Sequence, residues 1–169
     1  MRKDRIRQLD LDLVRNRGLL SKEEEQRYIE LVSAGYEAPE AEEGQEEEPL
    51  PLELVKLHRK LQLLIRDSST EVNGFILGGT RHWIGRHDRT NFYRAIEGLR
   101  KDGETSVPFA GIALPLELAA SALDRIEGYA AKCQERTDEH AAAIATLETI
   151  EAVEAYDITA GYPDMLNFD

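Results

Sequence analysis

The sequence is poor in cysteine, lacks long apolar runs and carries more acid than base. Its single cysteine, Cys133, excludes an internal disulfide framework and a zinc site built from cysteines. No apolar run approaches the ~20 residues that span a bilayer, and Met1-Arg2-Lys3-Asp4 leads into alternating charges rather than the apolar part of a secretory signal. These absences predict a soluble protein of a reducing compartment, with no membrane partner.

The chain is acidic, and its charge is unevenly distributed. Its 169 residues have a formal net charge of −12, which repels phosphate backbones and argues against a nucleic-acid partner. Only residues 54–103 have a clear basic excess, with ten basic and five acidic side chains. Arginines on helix surfaces are ordinarily solvated, so this excess does not predict a binding face.

Residues 1–35 predict two short helices. Gly18 fits the end of the first, Ser21 and Glu24 form a capping box at the start of the second, and Gly35 fits its end. A hairpin of this size is too small to be stable alone, so we expect a docking arm. Its apolar faces consist of Ile6, Leu9, Leu13, Tyr28, Ile29 and Val32.

Residues 36–49 predict an acidic flexible linker. They are rich in glutamate, include two prolines and offer almost nothing apolar to offset the entropy of ordering the backbone. A helix follows after Pro51. Its leucines recur at coiled-coil spacing for about two heptads, which suits either a second self-association seam or packing onto a sheet. They are Leu54, Leu57, Leu61 and Leu64.

The middle of the chain predicts a small antiparallel β-sheet with a short helix. Gly78-Gly79, between the apolar segment 75–77 and residues 80–84, indicates a hairpin. Asp88 or Thr90 would cap a helix that stops near Gly103, and Val107 to Leu114 would be strand bent around Pro108 and Gly111. The predicted fold class is therefore α+β, with domains at 1–35, 36–49 and 50–169.

The last predicted element is a long helix with an apolar stripe. A continuous helix over 115–156 would be roughly 60 Å long, too long for a sheet of about 45 residues to cover. We therefore expect the stripe to form a coiled-coil seam in a homodimer or homotrimer. Gly128, and a second possible helix start at Thr137, leave open a break into two antiparallel halves. The seam comprises Leu116, Ala119, Leu123, Ile126, Ala130, Cys133, Thr137, His140, Ile144 and Leu147.

One position of this seam predicts a response to pH. Histidines stacked at position 140 would disfavour the charged form of the ring. Association of the chains would then weaken as the pH falls near 6.

No group of residues predicts catalysis, a metal or a cofactor. His82, His87 and Asp88 are close in sequence, but a metal generally needs three ligands of fixed geometry, and the other histidines lie on separate helices. Cys133 has no histidine at a recognisable nucleophile spacing. The glycines near 78 match neither the dinucleotide fingerprint nor the phosphate loop. We predict that the protein is not an enzyme.

A series of short segments resembles a known family over about residues 75–162. The family is an uncharacterised domain of bacteriophage tail, tail-fibre and tail-assembly proteins. Since it has no established active site, the resemblance implies phage or prophage origin and a structural or assembly role, without catalytic residues. The segments are Phe75-Ile76-Leu77-Gly78-Gly79, His82-Trp83-Ile84-Gly85, Arg89-Thr90-Asn91, Tyr129, Arg136-Thr137, Ile144 and Tyr156-Asp157-Ile158-Thr159-Ala160-Gly161-Tyr162-Pro163.

Together these features predict a structural or accessory protein of a phage particle, associated with the tail, the tail fibre or a capsid fibre. It would dock on another phage structural protein through the N-terminal arm, self-associate through the long helix, and reside in the virion or, during assembly, in the host cytoplasm. Two alternatives stay open. One is a tail-assembly chaperone that is absent from the finished virion, and the other is a small enzyme with an unrecognised pocket.

Overall fold

The computed structural model describes residues 2–38 and 48–169 and has the predicted α+β fold class. Within these residues it contains six helices and five short strands. The helices are α1 (Arg2–Arg15), α2 (Lys22–Glu37), α3 (Leu52–Asp67), α4 (Arg86–Lys101), α5 (Leu116–Thr146) and α6 (Ile150–Ala155). The strands are β1 (Phe75–Leu77), β2 (Thr80–His82), β3 (Ser106–Phe109), β4 (Ile112–Pro115) and β5 (Leu166–Asn167).

The chain forms two compact units, each assembled from two stretches of sequence. The helical unit comprises the described residues up to Arg66 together with Thr137–Ala160, and the mixed unit comprises Asp67–Arg136 together with Gly161–Asp169. This division differs from the predicted one, because α1 and α2 share a core with α3, the last turns of α5, and α6. Most of the predicted linker, residues 39–47, lies outside the described residues.

The N-terminal hairpin of the helical unit begins as its sequence predicts. The backbone N–H of Glu24 donates to Ser21 Oγ at 3.2 Å, and Glu24 Oε2 accepts from the Ser21 N–H at 3.2 Å, which is the predicted capping box. Gly35 does not end α2, which continues to Glu37. It instead allows α1 to approach closely, since a Cβ at this position would lie 2.7 Å from Ile6 Cδ1.

Helix α3 packs among helices. Leu54 and Leu61 are fully buried in the core that contains Ile6, Tyr28 and Ile144. Every member of this core lies on a helix or in a loop, so the alternative that α3 packs on a sheet is wrong.

The mixed unit contains the predicted hairpin and a further strand pairing. Gly78 and Gly79 have φ values of 59° and 68° and connect antiparallel β1 and β2, as the sequence predicts. On its other side β1 pairs in parallel with β5, through Phe75 and Leu166. The two residues of β5 have no pattern that predicts this pairing.

The predicted bent strand is a second hairpin. Strands β3 and β4 pair antiparallel, and Ala110 and Gly111 at the turn have φ values of 49° and 83°. Between the two hairpins, α4 begins after Gly85, so the predicted cap at Asp88 or Thr90 is wrong. The helix ends at Lys101 with Asp102 as its C-cap, next to the predicted stop at Gly103.

Helix α5 is long but shorter than predicted. It passes Gly128 and Thr137 without a break, so the alternative of two antiparallel halves is wrong. Continuity to residue 156 is also wrong, because Thr149 starts the separate helix α6 and its Oγ1 accepts the Ala152 N–H at 3.1 Å. None of the helices in the described part of the chain has the length and apolar composition needed to cross a membrane.

Candidate protein-docking groove

The predicted self-association stripe of α5 is covered by its own chain. Leu123 and Ile126 lie in the core of the mixed unit with Phe75 and Phe109, and Ile144 lies in the core of the helical unit. Ala130 and Leu147 are partly buried, whereas the other stripe residues are buried: Leu116, Ala119, Leu123, Ile126, Cys133, Thr137, His140 and Ile144. This stripe therefore needs no second copy to cover it.

His140 makes its contacts within the helical unit rather than with a stacked histidine. Its side chain is 1% exposed, and its Nε2 donates to the Ala160 carbonyl at 2.9 Å. Because a carbonyl oxygen only accepts, Nε2 carries a proton, and Nδ1 lies 2.8 Å from the Tyr156 hydroxyl oxygen. The predicted loosening of an oligomer near pH 6 loses its structural basis.

The predicted apolar faces of the docking arm lie in the core of the helical unit, whereas Leu11 and Val14 of the arm are exposed. Tyr28 is fully buried and donates its hydroxyl to the Leu9 carbonyl at 3.0 Å, and this burial raises the pKa of the phenol. Ile29 is partly buried. Ile6, Leu9, Leu13 and Val32 are buried in the same core. The other predicted seam is similar, with Leu54 and Leu61 buried and Leu57 and Leu64 partly buried.

His82, His87 and Cys133 each contact a neighbouring side chain or backbone group. His82 stacks on Phe75 with ring centroids 5.6 Å apart, and His87 Nε2 accepts from the side-chain amide of Asn91 at 3.0 Å. Cys133 lies against the Val72 carbonyl at 3.6 Å, and burial raises the pKa of its thiol. Among the described residues, no group of three or more His, Cys, Asp or Glu side chains is placed to hold a metal ion.

A cavity of about 220 Å³ in the helical unit holds charges that already have partners. His58 Nε2 lies 3.1 Å from Asp12 Oδ2, and Arg59 donates to Gln62 at 2.8 Å. Arg5 pairs with Glu154. These basic side chains are thus engaged within the protein, although Arg59 Nε is buried without a hydrogen-bond partner among the described residues.

A larger apolar groove lies between α4 and β3 of the mixed unit. Its volume is about 720 Å³. The lining residues on α4 recur at intervals of three and four, so they share one face of that helix. They are Asp88, Asn91, Phe92, Ala95, Gly98, Leu99 and Asp102, and Val107 and Pro108 complete the lining.

The groove has an apolar floor and an open centre. Val107 is buried, and Phe92 packs edge-on against buried Phe109 with ring centroids 5.5 Å apart. At the centre stand Ala95 and Gly98, and no atom lies within 4 Å of the Cβ position of Gly98. Small residues between larger apolar ones allow a side-chain ridge of a second helix to enter.

Two unpaired carboxylates stand at the ends of the groove. Asp88 and Asp102 are 14 positions apart on α4, about 21 Å at 1.5 Å per residue. Within the described residues neither side chain makes a hydrogen bond or an ion pair. Two arginines of α4 are engaged elsewhere, since Arg89 donates to Glu127 at 2.8 Å and Arg100 to Glu117 at 2.8 Å. The groove is thus apolar along its length and acidic at its ends.

Comparison with known proteins adds no relative to this description. No family model, no curated protein and no solved structure matches the chain.

Proposed function

We propose that the protein is a structural or accessory component of a phage or prophage particle, and that it acts by docking on other proteins rather than by catalysis. The groove between α4 and β3 supports this proposal, because it is an apolar surface that the described residues leave uncovered. The resemblance of residues 75–162 to phage tail proteins suggests the setting. Docking through the arm no longer has support, since the predicted apolar faces of the arm are buried or partly buried in the helical unit.

The groove suits a protein segment better than a small metabolite. Pockets for small ligands place several converging polar groups among apolar walls. Here the polar side chains, Asp88, Asn91 and Asp102, stand along one helix face, with Phe92 and Leu99 between them. This layout matches the recognition of an amphipathic helix by a hydrophobic groove.

A blocking substitution in the groove tests docking directly. Peptides would be selected from a displayed random library on the full-length protein and then measured against Gly98→Phe. The matched control is Gly128→Phe in α5, because both glycines are exposed in helices and have no atom within 4 Å of the Cβ position. We expect the selected peptides to bind the wild type and the control but not Gly98→Phe. Failure to select any peptide, or equal binding of the selected peptides to both variants, would refute docking in the groove.

Mass spectrometry of purified virions tests the setting. Presence of the chain among the virion proteins supports a retained component, whereas its presence only in infected-cell lysate, bound to a tail protein, indicates a transient assembly chaperone. Sedimentation equilibrium of the purified chain tests the dimer or trimer. Any such oligomer must use a surface other than the buried stripe of α5.

A further inference from the structure

The only tryptophan of the chain lies near Asp88, at one end of the groove. Trp83 is 48% exposed and lies between β2 and the start of α4. A Cβ on Gly85 would lie 3.4 Å from Trp83 Cη2 and 3.4 Å from Asp88 Oδ2. The indole and the carboxylate therefore flank the same glycine. Their nearest atoms are no more than twice 3.4 Å apart.

This corner has the chemistry of a receptor for a cationic side chain. The face of an indole attracts a cation, and a carboxylate beside it adds an ion pair and a hydrogen-bond acceptor. Neither group has a competing partner of this kind, since the described residues place no cation on the Trp83 ring or on Asp88. The adjacent Arg89 is held by the Ile84 carbonyl and Glu127. Gly85 keeps the space between the two groups open.

We propose that the groove binds an amphipathic helix whose apolar face is flanked by arginines, and that one arginine is held by Trp83 and Asp88. This inference rests on the proposed docking function and names the chemistry of the partner. Arginine fits better than lysine, because a planar guanidinium stacks on an indole while it donates to a carboxylate. A second arginine, roughly four helical turns away, would meet Asp102.

The single tryptophan provides the assay. The probe is a helical peptide of about 18 residues, long enough to span the two acidic ends. It carries leucine along one face, arginine at both ends of that face, and neither tryptophan nor tyrosine. A second peptide replaces both arginines with citrulline, which keeps the shape and removes the charge. Each is titrated into the full-length protein while the emission of Trp83 is recorded.

We expect the arginine peptide to shift Trp83 emission to shorter wavelength and to bind about threefold to tenfold more tightly than the citrulline peptide, as for exposed cation–π and ion-pair contacts. Asp88→Asn should reduce the preference for the arginine peptide over the citrulline peptide. The preference that remains should come from Asp102. The matched control Glu104→Gln removes an exposed carboxylate beyond the end of α4 and should leave the preference unchanged.

The outcomes separate this inference from the proposed function. If both peptides bind equally, or if Asp88→Asn leaves the preference for arginine unchanged, the proposed arginine site at Trp83 and Asp88 is refuted. The groove still stands in that case, provided that Gly98→Phe abolishes binding. If neither peptide binds at about 1 mM, where even weak complexes form, the inference is refuted. The library selection then shows separately whether any peptide docks in the groove.

Discussion

A methyl group added at position 35 tests how the two N-terminal helices pack. Gly35→Ala has two opposed effects. Replacement of a glycine inside a helix stabilises that helix by about 1 kcal/mol. The new Cβ, however, would lie 2.7 Å from Ile6 Cδ1, and Ile6 is fully buried. Overpacking of a buried site costs about 1–3 kcal/mol. We therefore expect Gly35→Ala to lower the free energy of unfolding by about 1 kcal/mol.

A second substitution shows whether the clash is the cause. Ile6→Val removes the obstructing Cδ1 atom and by itself costs about 0.5–1.5 kcal/mol. In the double variant the alanine at position 35 fits, so the helix-propensity gain is recovered. The double variant should be more stable than the sum of the single effects by about 1 kcal/mol or more, which is the coupling expected of residues in contact.

Urea unfolding monitored by far-ultraviolet circular dichroism measures all four proteins of this cycle. Gly98→Ala is the control, because its Cβ position is open and only the propensity gain remains. If the effects at positions 6 and 35 add to within about 0.5 kcal/mol, the two residues do not touch. The described packing of α1 on α2 would then be incorrect.

Three further predictions concern the stability of the two units. Deletion of residues 1–49 should remove more helix than that segment contains, because Leu54 and the rest of α3 lose their buried partners. A loss of helix, measured by circular dichroism, that is no larger than the helix of the deleted segment would contradict this. Gly98→Ala and Gly128→Ala should each raise the free energy of unfolding by about 0.5–1 kcal/mol, because the Cβ position of each glycine is open. If urea unfolding shows that one of these variants is less stable than the wild type, that position is packed against a neighbour. Burial lowers the pKa of His58 from its ordinary 6.5 despite Asp12, so the unfolded chain takes up the proton first and stability should fall as the pH drops below 6.5. His58→Gln should flatten that dependence in urea unfolding at pH 7.5 and 5.5, and an unchanged slope would exclude His58 as the cause.

Local sequence patterns predicted most of the elements. The capping box at Ser21, the turn at Gly78-Gly79 and the spacing of the α5 stripe each depend on residues a few positions apart. The structure confirms all three. The fold class followed from these elements together.

The partners of those elements were not predictable from the same patterns. The stripe of α5 showed that a long face must be covered, but its spacing is the same whether a second copy or two different cores cover it. Gly35 suited a helix end because nothing in its neighbourhood indicates that Ile6 lies against it. Such pairings depend on residues far apart in the sequence.

The candidate groove was missed for a related reason. The large apolar residues of the short helix are Phe92, Tyr93, Ile96 and Leu99. Only Ile96 of these is fully buried, and the other face becomes a groove because β3 lies beside it. The recurrence of Phe92, Ala95 and Leu99 was visible in the sequence, but the position of β3 was not.

The interleaved order of the two units has a consequence for biosynthesis. When α1, α2 and α3 have left the ribosome, Ile144, Val153 and Ile158 of their core have not yet been translated. Likewise, β1 must wait for Leu166 before its parallel neighbour exists. Nascent chains should therefore expose apolar helices until residue 158 has left the ribosome, and a stalled or shortened product would be a natural target for holding chaperones and proteases.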